Sequence, residues 1–440
     1  MKSISKQIAA VMLCALICLP IFGCKKNDQQ TNPNDAVSGK LGLELPKYDV
    51  GDNTVIKVIS HDSTVFKDGK DIFKQAYGGD VEVTTVAQGD VKTKFVNSVL
   101  ASDPYDLVTS CMTPALIKKN IITPLEEYID FSTNLWESIY ELNKEYRVGG
   151  KFYCAIPSEQ KTIVVWYNKE VFEENGQKTP LEYLGEDNWN WNTMRELSKN
   201  LTIDTDNDGT KDIEGIAFDN PWDILATTGS GILSYDEKGV ASNDLGSQRI
   251  ARTMSYYSDL INKDGSVALQ NGKNKFLQSK LAMFYAGYWH AVNFTELLDA
   301  GSIALAPQPK DPESDKYYIC GGGYVYTLAA NSKNPNGAAA LLCSQRYFVA
   351  ENENAERENG AKERIKNAEC DKILSEMNLN YKKYVGVAIK DYTLYDLISV
   401  PWPMWCGEIT EGMPWSTVME TLNPLVETAL ESAESLQIEE

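Results

Sequence analysis

Short apolar runs rich in β-branched residues alternate with amphipathic stretches along most of the chain. Thr54 to Ser60 (TVIKVIS) and Tyr105 to Thr109 (YDLVT) predict strands bounded by polar residues. Ile163 to Tyr167 (IVVWY), Leu281 to Ala286 (LAMFYA), Ile303 to Ala306 (IALA) and Tyr324 to Leu328 (YVYTL) predict four more. Helical stretches lie between them, such as the run Val91, Phe95, Val99 and Leu100, which Asp90 is expected to cap. This succession is the α/β pattern, in which crossover helices cover a mainly parallel sheet. The 440 residues exceed what one such core holds, so two lobes are expected. Thr417 to Glu440 reads as an acidic amphipathic helix, and no internal repeat or heptad array is present.

The amino terminus carries a different pattern. Lys2 and Lys6 precede an apolar stretch from Ile8 to Gly23, followed by Cys24, Lys25 and Lys26. That stretch falls short of the ~20 residues that span a bilayer, and its basic-then-apolar order is that of a secretory signal. Ile21-Phe22-Gly23-Cys24 matches a lipoprotein signal-peptidase box, with Phe22 standing where a small or β-branched residue is usual. Residues 1–23 are therefore expected to be a signal peptide. Cys24 is expected to be lipidated, with palmitate among its acyl chains, and to tether the body to the extracytoplasmic face of a bacterial cell membrane. Residues 24–50 are assigned to a disordered spacer, because Lys25 to Gly39 (KKNDQQTNPNDAVSG) is polar and has no apolar period.

Composition narrows the chemistry. Hydrophobic residues make up 43% and charged residues 24%, as in a soluble body. Lys plus Arg total 42 against 62 Asp plus Glu, a formal net charge of -20 that has the wrong sign for a nucleic-acid partner. His61 and His290 are the only histidines, which removes most His-based zinc sites and leaves a Ser-His-Asp hydrolase dependent on one of those two. Cys14 and Cys18 fall in the signal, leaving Cys111, Cys154, Cys320, Cys343, Cys370 and Cys406 beside the lipidated Cys24. None forms a CxxC pair, so buried thiols or disulfides are the plain readings. Binding is favoured over catalysis.

One acidic loop has metal-ligand spacing. Asp204, Asp206, Asp208 and Asp212 occupy positions 1, 3, 5 and 9 of an EF-hand-like loop, with Gly209 at position 6. Position 12 is Gly215, so the bidentate acid is missing, although Glu214 is adjacent. The four aspartates are candidate ligands of a structural Ca²⁺, against a plain solvated turn.

Several motifs follow one another in a set order. Asp103-Pro104-Tyr105-Asp106-Leu107-Val108 comes first. Next are Tyr167-Asn168-Lys169, Val171-Phe172-Glu173-Glu174-Asn175-Gly176, Trp191, and Leu197-Ser198-Lys199-Asn200-Leu201-Thr202. Leu281-Ala282-Met283-Phe284 then leads to Gly287-Tyr288-Trp289, followed by Ala306-Pro307-Gln308-Pro309-Lys310. Gly321-Gly322-Gly323, Ser332-Lys333-Asn334-Pro335 and Ala338-Ala339 close the series. Over residues 54 to 345 the chain thereby resembles family 1 of the bacterial extracellular solute-binding proteins, the receptors of sugar ABC importers. The resemblance implies a two-lobed α/β fold of the type II periplasmic-binding-protein kind, with an interlobe ligand cleft and a hinge. It implies residues 51–157 plus 289–327 for lobe 1 and 158–288 plus 328–440 for lobe 2, with crossings near Pro157, Trp289 and Leu328. It also implies a monomer that delivers a carbohydrate to an ABC permease and requires no cofactor.

A sugar cleft needs aromatic planes for stacking and polar groups at the rim. Trp289 matches a family position that stacks on ligand, with lobe packing as the alternative. Trp222 lies in a loop that corresponds to an aromatic-bearing family loop, and Trp415 begins the last helical region. Trp402 and Trp405 are equally suited to a core under a long loop, and Trp136, Trp166, Trp189 and Trp191 read as packing. His61 and Asp62 follow the first strand, where an Asp either accepts two hydroxyls or caps the next turn. Thr113 follows the YDLVTS strand, Lys161 lies at the first crossing, and Gly322 and Gly323 let a backbone approach closely or mark a bulge. Two other functions stay open: the same fold binding a peptide, polyamine or other solute, and a surface glycosidase with paired carboxylates. No GxSxG, HExxH or phosphate loop supports an enzyme.

Overall fold

Strand-forming runs with few polar interruptions fix the framework. The computed structural model describes residues 43–51, 54–111, 114–147, 150–235, 241–388 and 409–435. Along the chain the first strands are β1 (Val55–Ser60), β2 (Asp80–Thr85), β3 (Leu107–Thr109), β4 (Ile122–Thr123) and β5 (Cys154–Ala155). Then come β6 (Gln160–Lys161), β7 (Ile163–Asn168), β8 (Glu214–Phe218), β9 (Leu233–Tyr235) and β10 (Ala241–Asn243). The last are β11 (Leu281–Gly287), β12 (Ile303–Pro307), β13 (Tyr317–Gly322), β14 (Tyr326–Ala329) and β15 (Tyr384–Ala388). The first sheet has the order β2-β1-β3-β14-β4, with β5 also on β14, and the second has the order β12-β7-β11-β8. A third, β15-β13-β6, and a hairpin of β9 with β10 complete the set.

β7 and β11 are buried at every position, which explains their unbroken apolar sequence: both faces of the second sheet are covered. Asn168 ends β7 and caps the Lys169–Glu174 helix, its Oδ1 accepting from the Glu170 and Val171 backbone at 3.1 and 3.3 Å. The Tyr-Asn-Lys motif is thus a strand-to-helix turn. At the Val91–Leu100 helix the expected cap differs. Asp90 occupies the N-cap position with helical backbone angles and makes no side-chain capping bond, because a short 3-10 turn over Gln88–Asp90 leads into the helix.

The strand pairings divide the chain differently from the expected lobe boundaries. β12 pairs with β7, and Tyr317 and Ile319 of β13 join the same core as β7 and β11, so residues 303–322 belong with lobe 2. β14 pairs with β3, and the Pro335–Asn359 helix buries Ala338 to Cys343 in the first-lobe core against the Gly69–Tyr77 helix. The chain therefore returns to lobe 1 near Gly323, not Trp289. It leaves again between the helices Pro335–Asn359 and Ala368–Leu379, not at Leu328, and the latter helix buries Cys370, Leu374 and Met377 in lobe 2. Apolar runs name strands, but the partner of each is settled only by tertiary packing. The expected spacer also ends earlier: Leu43 and Val50 are buried in the first-lobe core, and Tyr48 donates to the Tyr128 carbonyl at 2.7 Å. Leu43, Leu45, Tyr48 and Val50 supply apolar positions that the preceding polar stretch lacks.

Two crossing segments run side by side. β5 pairs with β14 in the first sheet, and a few residues on β6 pairs with β13 in the third, both antiparallel. Lobe 1 grips the first crossing through buried side chains. Asn143 accepts from the Ile156 backbone N–H at 2.8 Å and donates to its carbonyl at 3.1 Å, and Arg346 donates to the Pro157 carbonyl at 3.1 Å. Cys111, Cys154, Cys320, Cys343 and Cys370 are all buried. Cys406, like residues 1–42, lies outside the described residues.

Candidate functional site

Strand direction locates the site. β1, β2 and β3 are parallel, and Thr109 at the end of β3 pairs with Tyr326 at the start of β14. The carboxyl ends of the first sheet therefore lie at the crossing. In the second sheet β8 and β11 are parallel, and Gly287 at the end of β11 pairs with Ile163, just past the crossing. Pro307 at the end of β12 pairs with Val164 beside it. Both sheets thus present their carboxyl ends to one junction, the place where open α/β sheets hold ligands.

On the first-lobe edge, Ser60 ends β1 and His61 and Asp62 follow it. Ser60 Oγ accepts from the Asp62 backbone at 3.0 Å and from Thr109 Oγ1 at 2.9 Å. Asp62 accepts from the Thr64 backbone at 2.7 Å and from the Tyr324 hydroxyl at 2.6 Å, so it both caps its turn and ties β1 to the crossing strand. The Tyr324 hydroxyl, then the Thr64 amide, hold the Asp62 carboxyl below its usual range. Burial, aided by Asp62, pushes Tyr324 up to about 12. The His61 ring lies 5.7 Å from that of Tyr324. Tyr324 escaped the sequence reading because a Tyr in an apolar strand reads as core.

On the second-lobe edge, Trp289 is 50% exposed on the 3-10 turn Tyr288–Asn293 after β11. Its indole lies over Gly287, where any Cβ would overlap the ring. The His290 side chain is mostly covered: its Nε2 is 3.1 Å from Oδ2 of Asp219, the residue after β8, and its ring stacks near Phe294 at 5.9 Å. Behind them lies a buried polar group. Gln308 Nε2 donates to the Asp223 carbonyl at 2.8 Å and to the Tyr285 hydroxyl, and its Oε1 accepts from the Cys320 backbone. Asp223 accepts from Asn220 Nδ2 at 3.1 Å and contacts Cys320 Sγ at 3.7 Å. Burial pushes the Asp223 carboxyl up to about 7, with Asp219 adding to the rise. Asp219 and Asp223 carry no motif of their own in the sequence.

Other candidates are placed elsewhere. Lys161 is 2% exposed and donates to Glu159 at 2.8 Å, so its ammonium is buried in an ion pair and does not project from the crossing. Trp222 is 4% exposed among Leu225, Ile232 and Ile250, because the apolar turn Pro221–Thr228 folds into its own core. Trp415 is the first residue of the Trp415–Ser435 helix and packs partly buried on that same cluster, with its indole nitrogen buried and unpartnered among the described residues. This helix also meets the Pro114–Lys118 helix of lobe 1. Gly322 pairs with Gln160, and a Cβ on Gly323 would overlap the Ser158 carbonyl oxygen, so the Gly323 backbone is pressed against the other crossing segment. Thr113, Trp402 and Trp405 lie outside the described residues.

Of the acidic loop, Asp204, Asp206 and Asp208 bring carboxylate oxygens within 4.8 Å of one another. Asp212 instead accepts from the Thr205 backbone at 2.8 Å. Asn207 and Gly209 take the left-handed backbone that curls the loop. At position 12 a Cβ on Gly215 would overlap the Ser198 carbonyl, and Glu214 is paired with Lys275. The three carboxylates are close enough together to share one metal ion, and the acid that a complete EF-hand loop carries at position 12 has no room here.

A family model described as bacterial extracellular solute-binding protein matches residues 62–350. No curated protein matches the chain in sequence. Among solved structures, an ABC substrate-binding protein from Listeria monocytogenes in complex with cycloalternan is 17% identical, with a TM-score of 0.57 over 86% of this chain and 99% of that one. A cyclo/maltodextrin-binding protein complexed with maltotetraose is 17% identical, with a TM-score of 0.59 over 88% and 99%. A cyclic alpha-maltosyl-1,6-maltose binding protein from Arthrobacter globiformis is 15% identical, with a TM-score of 0.57 over 87% and 98%. At such identities the likeness is one of fold. The family match spans well over half of the chain and takes in both carboxyl-end strand edges, and the chain belongs to the bacterial extracellular solute-binding proteins.

Proposed function

We propose that this protein captures a carbohydrate, an oligosaccharide in particular, in the interlobe cleft and delivers it to the membrane subunits of an ABC importer. The observation that carries this reading is the half-exposed Trp289 plane after β11, with the Asp219 carboxylate bonded to the adjacent His290 on the same lobe and the Asp62 carboxylate after β1 on the other. A flat apolar ring beside hydrogen-bond acceptors suits a sugar, whose faces are apolar and whose edges carry hydroxyls. The sugars named with the similar folds support the same ligand class. In this reading the protein is a binding monomer without enzymatic activity.

The proposal extends to location. Cys24 carries the lipid that holds the body at the extracytoplasmic face of the cell membrane, with the polar segment after it as tether. Among the described residues no helix is long and apolar enough to cross a membrane. A Ca²⁺ ion on Asp204, Asp206 and Asp208 staples the loop and takes no part in ligand capture. Isothermal calorimetry against a panel of mono- and oligosaccharides tests the central claim: saturable binding to a glycan is expected, and a panel without response, alongside binding of a peptide or polyamine, overturns it. Turnover in a sensitive glycoside hydrolysis assay would overturn the non-enzymatic reading.

A further inference from the structure

The two edges of the junction share a charge sign. Asp62 stands on the first lobe and Asp219 on the second, the latter 45% exposed. The cation nearest the crossing in sequence, Lys161, is withdrawn into its pair with Glu159. Asp219 is held at both ends. Its backbone N–H donates to the Tyr285 carbonyl at 3.0 Å, and Oδ2 is 3.1 Å from His290 Nε2. Oδ1 has no hydrogen-bond partner among the described residues. His290 follows Trp289 directly, and their rings lie 6.3 Å apart, so the residue that aims the carboxylate is anchored to the turn that presents the stacking plane. The other ring nitrogen of His290 is buried and unpartnered among the described residues, so the bond to Asp219 is the ring's one hydrogen bond among them, while Phe284 and Phe294 pack against its faces and edge.

We propose that Asp219, aimed by His290, reads the hydroxyls of a sugar ring stacked on Trp289 and makes the site select uncharged over acidic sugars. This inference rests on the carbohydrate reading above and adds the residue and the ligand class. An ionised carboxylate only accepts, so it pairs with hydroxyl donors and repels a second carboxylate. A uronate bound on Trp289 brings its own anion towards Asp219, with Asp62 of like sign across the junction. Asp219 contacts the ligand, and His290 is a positioning residue.

The test uses the full chain in detergent, with maltotetraose and other neutral tetrasaccharides as probes, each beside its uronate counterpart, measured by calorimetry. The neutral sugar that binds is expected to do so at least about tenfold more tightly than its uronate partner. Asp219→Ala is expected to weaken the neutral sugar by about tenfold or more, the range of a lost hydrogen bond to a charged group. Asp219→Asn is expected to narrow the preference over the uronate. His290→Ala weakens the neutral sugar while His290→Gln, which keeps an N–H donor, restores it, at unfolding temperatures close to the parent. Equal binding of neutral and acidic partners, or unchanged affinity and preference in Asp219→Asn, overturns the inference and leaves the carbohydrate reading standing. Absence of binding by every glycan overturns both.

Discussion

Lys161 tests whether the crossing is a ligand surface or part of the frame. Its side chain is 2% exposed and its ammonium is bonded at 2.8 Å to Glu159, whose side chain is 10% exposed, and Glu159 lies where Gly386 leaves no Cβ in its way. Glu159→Ala strands a buried cation with no carboxylate, a defect that costs about 3–5 kcal/mol. With a urea slope of about 3 kcal/mol per molar or more, the unfolding midpoint should fall by roughly 1 M. Replacing both members, Glu159→Leu with Lys161→Met, should recover most of the loss, because a buried pair exchanged for apolar residues of similar volume is near neutral. The assay is urea unfolding followed by tryptophan fluorescence, with glycan affinity measured in parallel. A midpoint unmoved by Glu159→Ala refutes the argument. So does a Lys161→Met chain of full stability that no longer binds sugar, for then the ammonium reaches the ligand.

Further expectations concern the site and its supports. Asp223 is pushed up to about 7 against an unfolded value near 4, so the folded chain holds that proton more firmly. Its contribution to stability is full below about pH 4, falls as pH rises and is lost above about pH 7. Asp223→Asn should therefore gain on the parent between those values, by on the order of a few kcal/mol, in urea unfolding across pH, and a constant difference would refute the assignment. Gly323→Ala forces a methyl onto the Ser158 oxygen and Ile156, and should destabilise by about 1–3 kcal/mol in the same assay. Ca²⁺ at 100 times its dissociation constant should stabilise by about 2.7 kcal/mol, an effect that Asp204→Ala abolishes, and an unfolding temperature indifferent to Ca²⁺ would remove the staple. Trp289→Ala should abolish glycan binding and the fluorescence change that reports it while leaving the unfolding midpoint in place, since the ring is half exposed.

Much of the framework was legible because it depends on local pattern. β1, β7, β11, β12 and β14 coincide with the apolar runs to within a residue or two. Trp136, Trp166, Trp189 and Trp191 are buried as expected, and three of their indole nitrogens donate inside the fold, Trp166 to Gly287, Trp189 to Pro307 and Trp191 to Thr227. What was not legible depends on partners remote in sequence. IALA at 303–306 is an equally good strand for either sheet, and only its antiparallel fit to β7 assigns it to lobe 2. Lys161 looked available because its neighbours are polar, yet its environment is set by Gly386 and Asn378, more than two hundred residues on. Asp219 acquires its role from His290, 71 residues on, and Tyr324 from Asp62, 262 residues back.

The buried thiols have a practical meaning. Cys111, Cys154 and Cys343 lie in the first lobe and Cys320 and Cys370 in the second, all inside packed clusters. Burial pushes Cys343 and Cys370 each up to about 12 and raises Cys320 as well, and only the thiolate reacts with an alkylating or disulfide reagent. Each lobe therefore holds its own chemical clock, silent while packed and started by local opening. Labelling rates at these positions, resolved by mass spectrometry, time the opening of each half of the molecule without any introduced probe, and a ligand that clamps the two together slows both clocks at once.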